Sequence, residues 1–340
     1  MVMMMVMMMI VMGCNSGGVG GGEGAAGVEG RGLNEVISSS RQVFLETFLS
    51  FSDLLKGIFG ITADTTKKAV GERLDKVGEA VNVAKSKLEG LKITDNYNVI
   101  KAKADGIITK AIDTLKKIVD GVSKIKGATD TANDKIASAI GDAEDASPAD
   151  KESVKGLIEG ISMICEASRG VGIDFKGDAN KIIADSKEIG KLFGATANAN
   201  EAKALSGANR AVIAVSGADI LAAIEAAKDS TSKNAGDINA ATNAYDIAIA
   251  TKNHADAHND VKTNASVLAA GLALRGMAKD GKLATVANHA PKEGINAVLS
   301  RAVSKIVNEI MFNIRRTVDK CLKDVNDCIE ENFSSEVKSK

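Results

Sequence analysis

"KEGINAVLSRAVSKIVNEIMFNIRRTVDKCLKDVNDCIEE", residues 292–331, keeps one rhythm from end to end. Ile295, Val298, Leu299, Ala302, Val303, Ile306, Ile310, Ile314, Val318, Cys321, Val325 and Cys328 advance by three or four. That is the spacing of a single apolar face at 3.6 residues per turn. Pro291 stands just before it, where a proline opens a helix at no cost in hydrogen bonds. The spacing predicts one long helix over 292–331. The polar residues from Glu330 onward are expected to fray, leaving 332–340 as a polar tail.

The same period recurs upstream. Val70, Leu74, Val77, Val81 and Leu88 predict a helix over about 64–90. Ile100, Ile107, Ile108, Ile112, Leu115, Val119 and Val122 predict another over 96–126. Residues 33–59 place Val36, Phe44, Phe48, Leu55 and Phe59 close to one face. In Ser147-Pro148-Ala149-Asp150, Ser147 suits an N-cap, Pro148 the first helical position, and Asp150 the acid of a capping box. The helix that follows carries Val154, Leu157, Ile158, Ile161 and Cys165.

Between 195 and 272 the apolar stripes thin out into segments rich in Ala, Asn, Asp and Thr, so short helices with alanine faces are expected. Strand-type alternation never lasts more than a few residues. With 45% hydrophobic residues but only 3% aromatic and no tryptophan, the core must be aliphatic. Its 33 glycines let facing helices approach closely, and only 2 prolines interrupt it. The reading is an all-α fold in one helical domain, 33–331, based on long N- and C-terminal helices. Formal net charge is −1, from 43 basic and 44 acidic residues. That excludes a globally basic nucleic-acid binder.

The amino terminus reads differently. "MVMMMVMMMIVMGCNSGGVGGGEG" opens with twelve apolar residues. As a helix they span ~18 Å, too short for the ~30 Å of a bilayer core. They suit the apolar region of a signal peptide, residues 1–13. Val11-Met12-Gly13-Cys14 fits a bacterial lipobox, which makes Cys14 the lipidation site: an S-diacylglyceryl group on the thiol and an N-acyl chain on the new amine. The Lys or Arg that normally opens such a peptide is missing, so the natural start is expected a few residues upstream. From Asn15 to Gly32, nine of 18 residues are glycine. Such a stretch is a flexible tether, and residues 14–32 form a lipidated leash.

Chemistry is hard to find. His254 and His258 are spaced to share a metal on one helix face, but the Glu of a zinc-protease motif is absent. Asp142, Glu144 and Asp145 read as solvated turn carboxylates. Ser216 lacks the glycine frame of a nucleophile elbow, and no phosphate-binding loop is present. Cys321 and Cys328 would sit ~10 Å apart on one helix, beyond the ~7 Å limit for a disulfide. They read as two buried thiols. No nucleophile–base set emerges, so neither an enzyme nor a cofactor is expected.

"LALRGMAKDGKLA", residues 272–284, carries Arg275, Lys279 and Lys282 against Asp280, a local charge of +2. One reading is a basic patch for a polyanion. The other is an ordinary amphipathic helix stopped at Asp280-Gly281, with Gly281 in the left-handed cap. This stretch closely resembles the sixth invariant region of the variable large proteins of relapsing-fever Borrelia and of their Lyme relative VlsE. "IGKLFG" (189–194) and "AVSGADILAAIEAA" (214–227) resemble the same family, and so does a lipobox cysteine before a glycine-rich tether. The resemblance covers essentially the whole chain.

The resemblance implies an all-α outer-membrane lipoprotein, facing outward, with both termini near the membrane and variable loops at the distal end. It implies a role in antigenic variation, with host antibodies as the partner and Cys14 in the membrane lipid. An alternative is an adhesin that binds host glycosaminoglycan through Lys279 and Lys282, or through pairs such as Lys67-Lys68 and Lys116-Lys117. The long helices also offer a face for a homodimer.

Overall fold

In the computed structural model the rhythm of residues 292–331 becomes one helix, Lys292–Lys338, on which much of the chain packs. The structure describes residues 60–93, 101–136, 138–196, 202–230, 236–251 and 261–338, with side chains up to 331 except those of Lys187 and Ala202, together with Ser38, Arg41, Gln42, Leu45, Glu46 and Leu49. The leader, Cys14, the tether, the face built on Val36, Phe44, Phe48, Leu55 and Phe59, and the His254/His258 pair lie outside the described residues.

The all-α reading holds. The helices are α1 (Lys67–Leu91), α2 (Lys101–Thr129), α3 (Lys151–Gly170), α4 (Ala202–Ala214), α5 (Gly217–Ala226), α6 (Ala244–Ile249), α7 (Ala265–Met277) and α8 (Lys292–Lys338). Short 3₁₀ turns cover Lys187–Phe193 and Ile238–Ala240. One two-residue ladder pairs β1 (Ala143–Glu144) antiparallel with β2 (Thr285–Val286).

α1 begins where Thr66 accepts the Ala69 N–H at 3.1 Å. Its predicted stripe is all inside: Val70, Leu74, Val77, Val81 and Leu88 are buried. On α2, Ile108, Leu115 and Val122 are buried, but Ile107 is 37% exposed. Adjacent residues on a helix point ~100° apart, so Ile107 and Ile108 cannot both face the core. α2 runs antiparallel to both neighbours. It meets α1 with Gly78 against Val122, and α3 at a glycine crossing. A Cβ on Gly121 would lie 2.7 Å from the Gly160 carbonyl, and one on Gly160 would lie 2.6 Å from the Gly121 carbonyl. Backbone therefore touches backbone there, which is how an aliphatic core with few large side chains reaches close packing.

Three expectations need correction. The first concerns α3, which starts later than the sequence suggests. Its N-cap is Asp150, whose carboxylate accepts the Ser153 N–H at 2.8 Å. Ser147 cannot cap it, because its backbone is extended and bridged to Lys282: the Lys282 N–H donates to the Ser147 carbonyl at 2.8 Å, and the Ser147 N–H donates back at 3.2 Å. The second concerns α7, which is not amphipathic. All thirteen of its residues are buried, because α4, α5, α6 and α8 enclose it. The third concerns α8, which does not fray at Glu330 but runs to Lys338. Residues 332–338 contain neither glycine nor proline. The preceding turns are knitted by i,i+4 pairs, Lys320–Asp324 and Lys323–Asp327.

Candidate functional site

The 272–284 stretch folds into the interior. α7 ends at Met277, where the Ala278 N–H still reaches the Leu274 carbonyl at 2.8 Å. The chain then turns sharply. Gly281 N–H donates to the Lys279 carbonyl at 2.9 Å, and Asp280 between them has φ 64°. This is a γ-turn of the rare positive-φ hand. The left-handed residue is thus Asp280, not Gly281 as expected. Gly281 is needed for a different reason: a Cβ there would sit 2.2 Å from the Arg275 carbonyl.

Arg275 is the centre of the arrangement. It is the only charged residue in α7 and it is 0% exposed. Its guanidinium donates to five backbone carbonyls. Nε reaches Lys282 at 2.8 Å, and Nη2 reaches Ser147 at 2.6 Å. Nη1 reaches Ile247 at 3.2 Å and both Ala248 and Ala250 at 3.0 Å. The Phe193 ring covers it, 4.9 Å from ring centre to guanidinium carbon. Burial pushes its pKa down to about 9, and it remains charged at neutral pH. A fork of donors fixed in one plane suits this task, since it gathers carbonyls from two loops and the C-terminal end of α6.

A second buried basic side chain lies beside it. Lys67, the first residue of α1, is 0% exposed. Its Nζ donates to the Ala278 and Gly281 carbonyls, both at 2.8 Å. Burial brings its pKa down to about 7. Ser138 adds a third tie, to the Gly281 carbonyl at 3.2 Å. The Asp150 N–H reaches the Lys279 carbonyl at 2.9 Å, and the Lys279 N–H reaches the Ser153 hydroxyl at 3.1 Å.

The proposed basic patch is therefore not a patch. Arg275 is sealed inside and cannot touch a polyanion. Lys279 and Lys282 are half-buried at the rim. Lys282 lines a surface cleft of about 670 Å³ with Lys151, Asp134, Asp145, Asp150 and Asp280, so carboxylates outnumber ammonium groups there. Of the Lys67-Lys68 pair, Lys67 is also inside, and Lys68 pairs with Asp130 at 3.5 Å. The three turn carboxylates are not idle either. Asp142 accepts the Lys292 N–H at 2.6 Å, Glu144 the Gly141 N–H at 2.6 Å, and Asp145 the Thr196 N–H at 2.7 Å. Asp142 satisfies an orphan N–H at the start of α8, and Glu144 and Asp145 hold loop backbone that has no helix to satisfy it.

The other two motif segments join the same interior. In 189–194, Phe193 stacks on Arg275, and the Leu192 carbonyl accepts the Ala284 N–H at 2.9 Å. In 214–227, Ser216 is the N-cap of α5 and forms a capping box with Asp219. Cys165 and Cys321 are buried thiols, whereas Cys328, expected to be buried too, is only half-buried and donates to the Lys103 carbonyl at 3.7 Å. Burial raises the Cys321 pKa to about 12 and moves Cys165 well upward too.

Arg275 and Lys67 were read from the sequence as surface cations, and their buried role was missed although signals for it existed. Lys67 lies three residues before Val70, so the α1 stripe extended backward lands on it. Arg275 is a lone charge in a thirteen-residue apolar run. Among the described residues, no group of three His, Cys, Asp or Glu side chains is placed to hold a metal, and no single helix is long and apolar enough to cross a membrane.

Comparison with known proteins agrees with this architecture. Residues 44–329 match the family model described as Borrelia lipoprotein. Variable large protein 4 of Borrelia hermsii is 34% identical over 303 residues, 86% of this chain and 83% of that protein. Variable large protein 17 of Borrelia hermsii is 35% identical over 288 residues, 81% of this chain and 78% of that protein. The crystal structure of the Lyme disease variable surface antigen VlsE of Borrelia burgdorferi superposes with a TM-score of 0.71 at 29% identity, covering 88% of this chain and 98% of that one. The chain belongs to the Borrelia lipoprotein family, among the variable large proteins related to VlsE.

Proposed function

We propose that this protein is a surface antigen of antigenic variation, displayed outward on the bacterial outer membrane and held there by acyl chains on Cys14. It works without catalysis, by presenting a coat that antibody against a sister variant does not recognise. The observation that carries this reading is the contrast with VlsE: a TM-score of 0.71 at only 29% identity. One helical scaffold holds while most of its residues differ. Exposed positions change at little cost, usually within about ±0.5 kcal/mol, whereas the 272–284 ties lie inside. Mass spectrometry of the amino terminus from native cells, with surface protease shaving, tests the anchor and the display. Serum raised against this chain should fail on sister variants; broad cross-protection would defeat the proposal.

A second reading, adhesion to glycosaminoglycan, draws support from α2. Lys101, Lys103, Lys110, Lys116, Lys117 and Lys124 are exposed on that helix. Lys116 and Lys124 are engaged in ion pairs with Asp120 and Glu159. Heparin binding that weakens steeply with salt would favour this reading. Failure to bind heparin at low salt would dismiss it.

A further inference from the structure

Lys67 is an unusual place for a cation. It stands at the first position of α1, where the helix dipole disfavours positive charge. It is fully buried, and the guanidinium of Arg275 is close enough to repel it. Its Nζ has two acceptors among the described residues, Ala278 O and Gly281 O. A neutral amine carries two N–H groups and an ammonium three. Two acceptors match the neutral form, and a third N–H would be stranded in a dry site. The amine's lone pair lacks a donor, but an unpaired acceptor costs far less to bury than a charge.

The charged groups that act on Lys67 come from each side. Asp134, on the turn before β1, and Asp280, on the loop, attract a proton to it, while Arg275 of α7 and Lys282 repel one. Burial outweighs the two carboxylates. We infer that Lys67 is held as a neutral amine that seals the 278–282 loop, and that it takes up a proton when the loop opens. Opening lets water reach the ammonium, so each opening binds one proton, and acid favours the open form.

The device acts between pH 7 and about 10.5, the ordinary lysine value. Within that window the opening constant rises as pH falls, about tenfold per pH unit. Below about 7 the closed form is protonated too, and the effect levels off. The consequence is an acid-loosened cover over the Arg275 centre.

Two measurements on the full chain in detergent test this. The first is the lysine ¹³Cε titration. One resonance should titrate near pH 7, far below the other lysines, and it should be missing from Lys67→Met. Should that variant fail to fold, Asp134→Asn identifies the same resonance by moving its midpoint lower still. A Lys67 midpoint near 10.5 overturns the inference. The second is hydrogen exchange at the Gly281 and Lys282 amides, divided by the intrinsic rate. The resulting opening constant should be about tenfold larger at pH 7.5 than at 8.5. A constant independent of pH overturns it as well.

Discussion

The guanidinium carbon of Arg275 lies 4.9 Å from the centre of the Phe193 ring, so the end of α7 and the 3₁₀ turn Lys187–Phe193 share one buried contact. That contact closes a shell whose other walls are backbone carbonyls. A cation inside a protein usually pairs with a carboxylate. Here oriented carbonyl dipoles and an aromatic face take that role, and the geometry must be kept because no carboxylate among the described residues pairs with the guanidinium to compensate for slack.

Replacing Arg275 should therefore be severe. Arg275→Met takes a donor from five carbonyls, of which Ser147, Ala248 and Lys282 keep a backbone N–H, and empties a buried polar site; it should cost about 3–5 kcal/mol, in the range of other broken buried charge networks. Arg275→Lys should rescue little, because one ammonium cannot span the two loops and the end of α6. Urea unfolding of the two variants checks both statements. A loss below 1 kcal/mol for Arg275→Met would show that the carbonyls find other donors.

The γ-turn gives a pair of opposite predictions at adjacent positions. Gly281→Ala puts a Cβ into the Arg275 carbonyl and should cost at least ~2 kcal/mol. Asp280→Gly relieves the positive φ, worth about 1 kcal/mol, against a similar entropic cost, and should change stability by no more than about 1 kcal/mol. Thermal melts of both variants, read side by side, decide the matter.

At the α2–α3 crossing, Gly160→Val should destabilise by ~3 kcal/mol or more, because the clashing atom is backbone and cannot swing away. Gly127→Ala, on the open side of α2 where nothing lies within 4 Å, should be neutral or slightly stabilising. Equal effects at the two positions would contradict the close crossing.

Alkaline pH should weaken the fold through the two buried thiols. Burial raises both pKa values, so the folded chain keeps their protons when the unfolded chain has lost them. Their stabilising contribution is complete below the unfolded thiol value of about 8.5 and is lost as pH rises above it. Cys165→Ala should flatten the alkaline limb of a stability–pH profile measured above pH 8.5. A thiol reagent should meanwhile label Cys328 well before Cys165 or Cys321 in the native chain.

The helices were legible because apolar spacing is a local signal. The stripes of α1, α3 and α8 appear in the sequence as they appear in the core. What escaped was set by partners distant along the chain. Ser147 looks like a cap, but Lys282, far along the sequence, claims its backbone. Arg275, Lys279 and Lys282 look like one cluster, but α7 carries the first inward while the others stay at the rim. Spacing could not reveal this, because a lone arginine in an apolar run is compatible with either a surface or a core until its acceptors are known. The turn carboxylates Asp142, Glu144 and Asp145 are solvent-accessible as read, but the backbone N–H groups they hold lie far along the chain or in the turn geometry and could not be seen from spacing.

The described part of the amino-terminal segment is joined to the rest by ion pairs: Arg41 with Glu330 at 2.8 Å, and Glu46 with Lys87. Glu330 is ~40 Å along α8 from Val303, the residue that packs on Gly276 beside Arg275. A pull on the amino end therefore loads the far end of a long rod first. Exposed ion pairs are individually weak, about 0–1 kcal/mol, so they part before the interior feels the force. Under the anchoring proposed at Cys14, the junction would work as a mechanical fuse: drag would peel these exposed pairs before it loads the buried Arg275 centre.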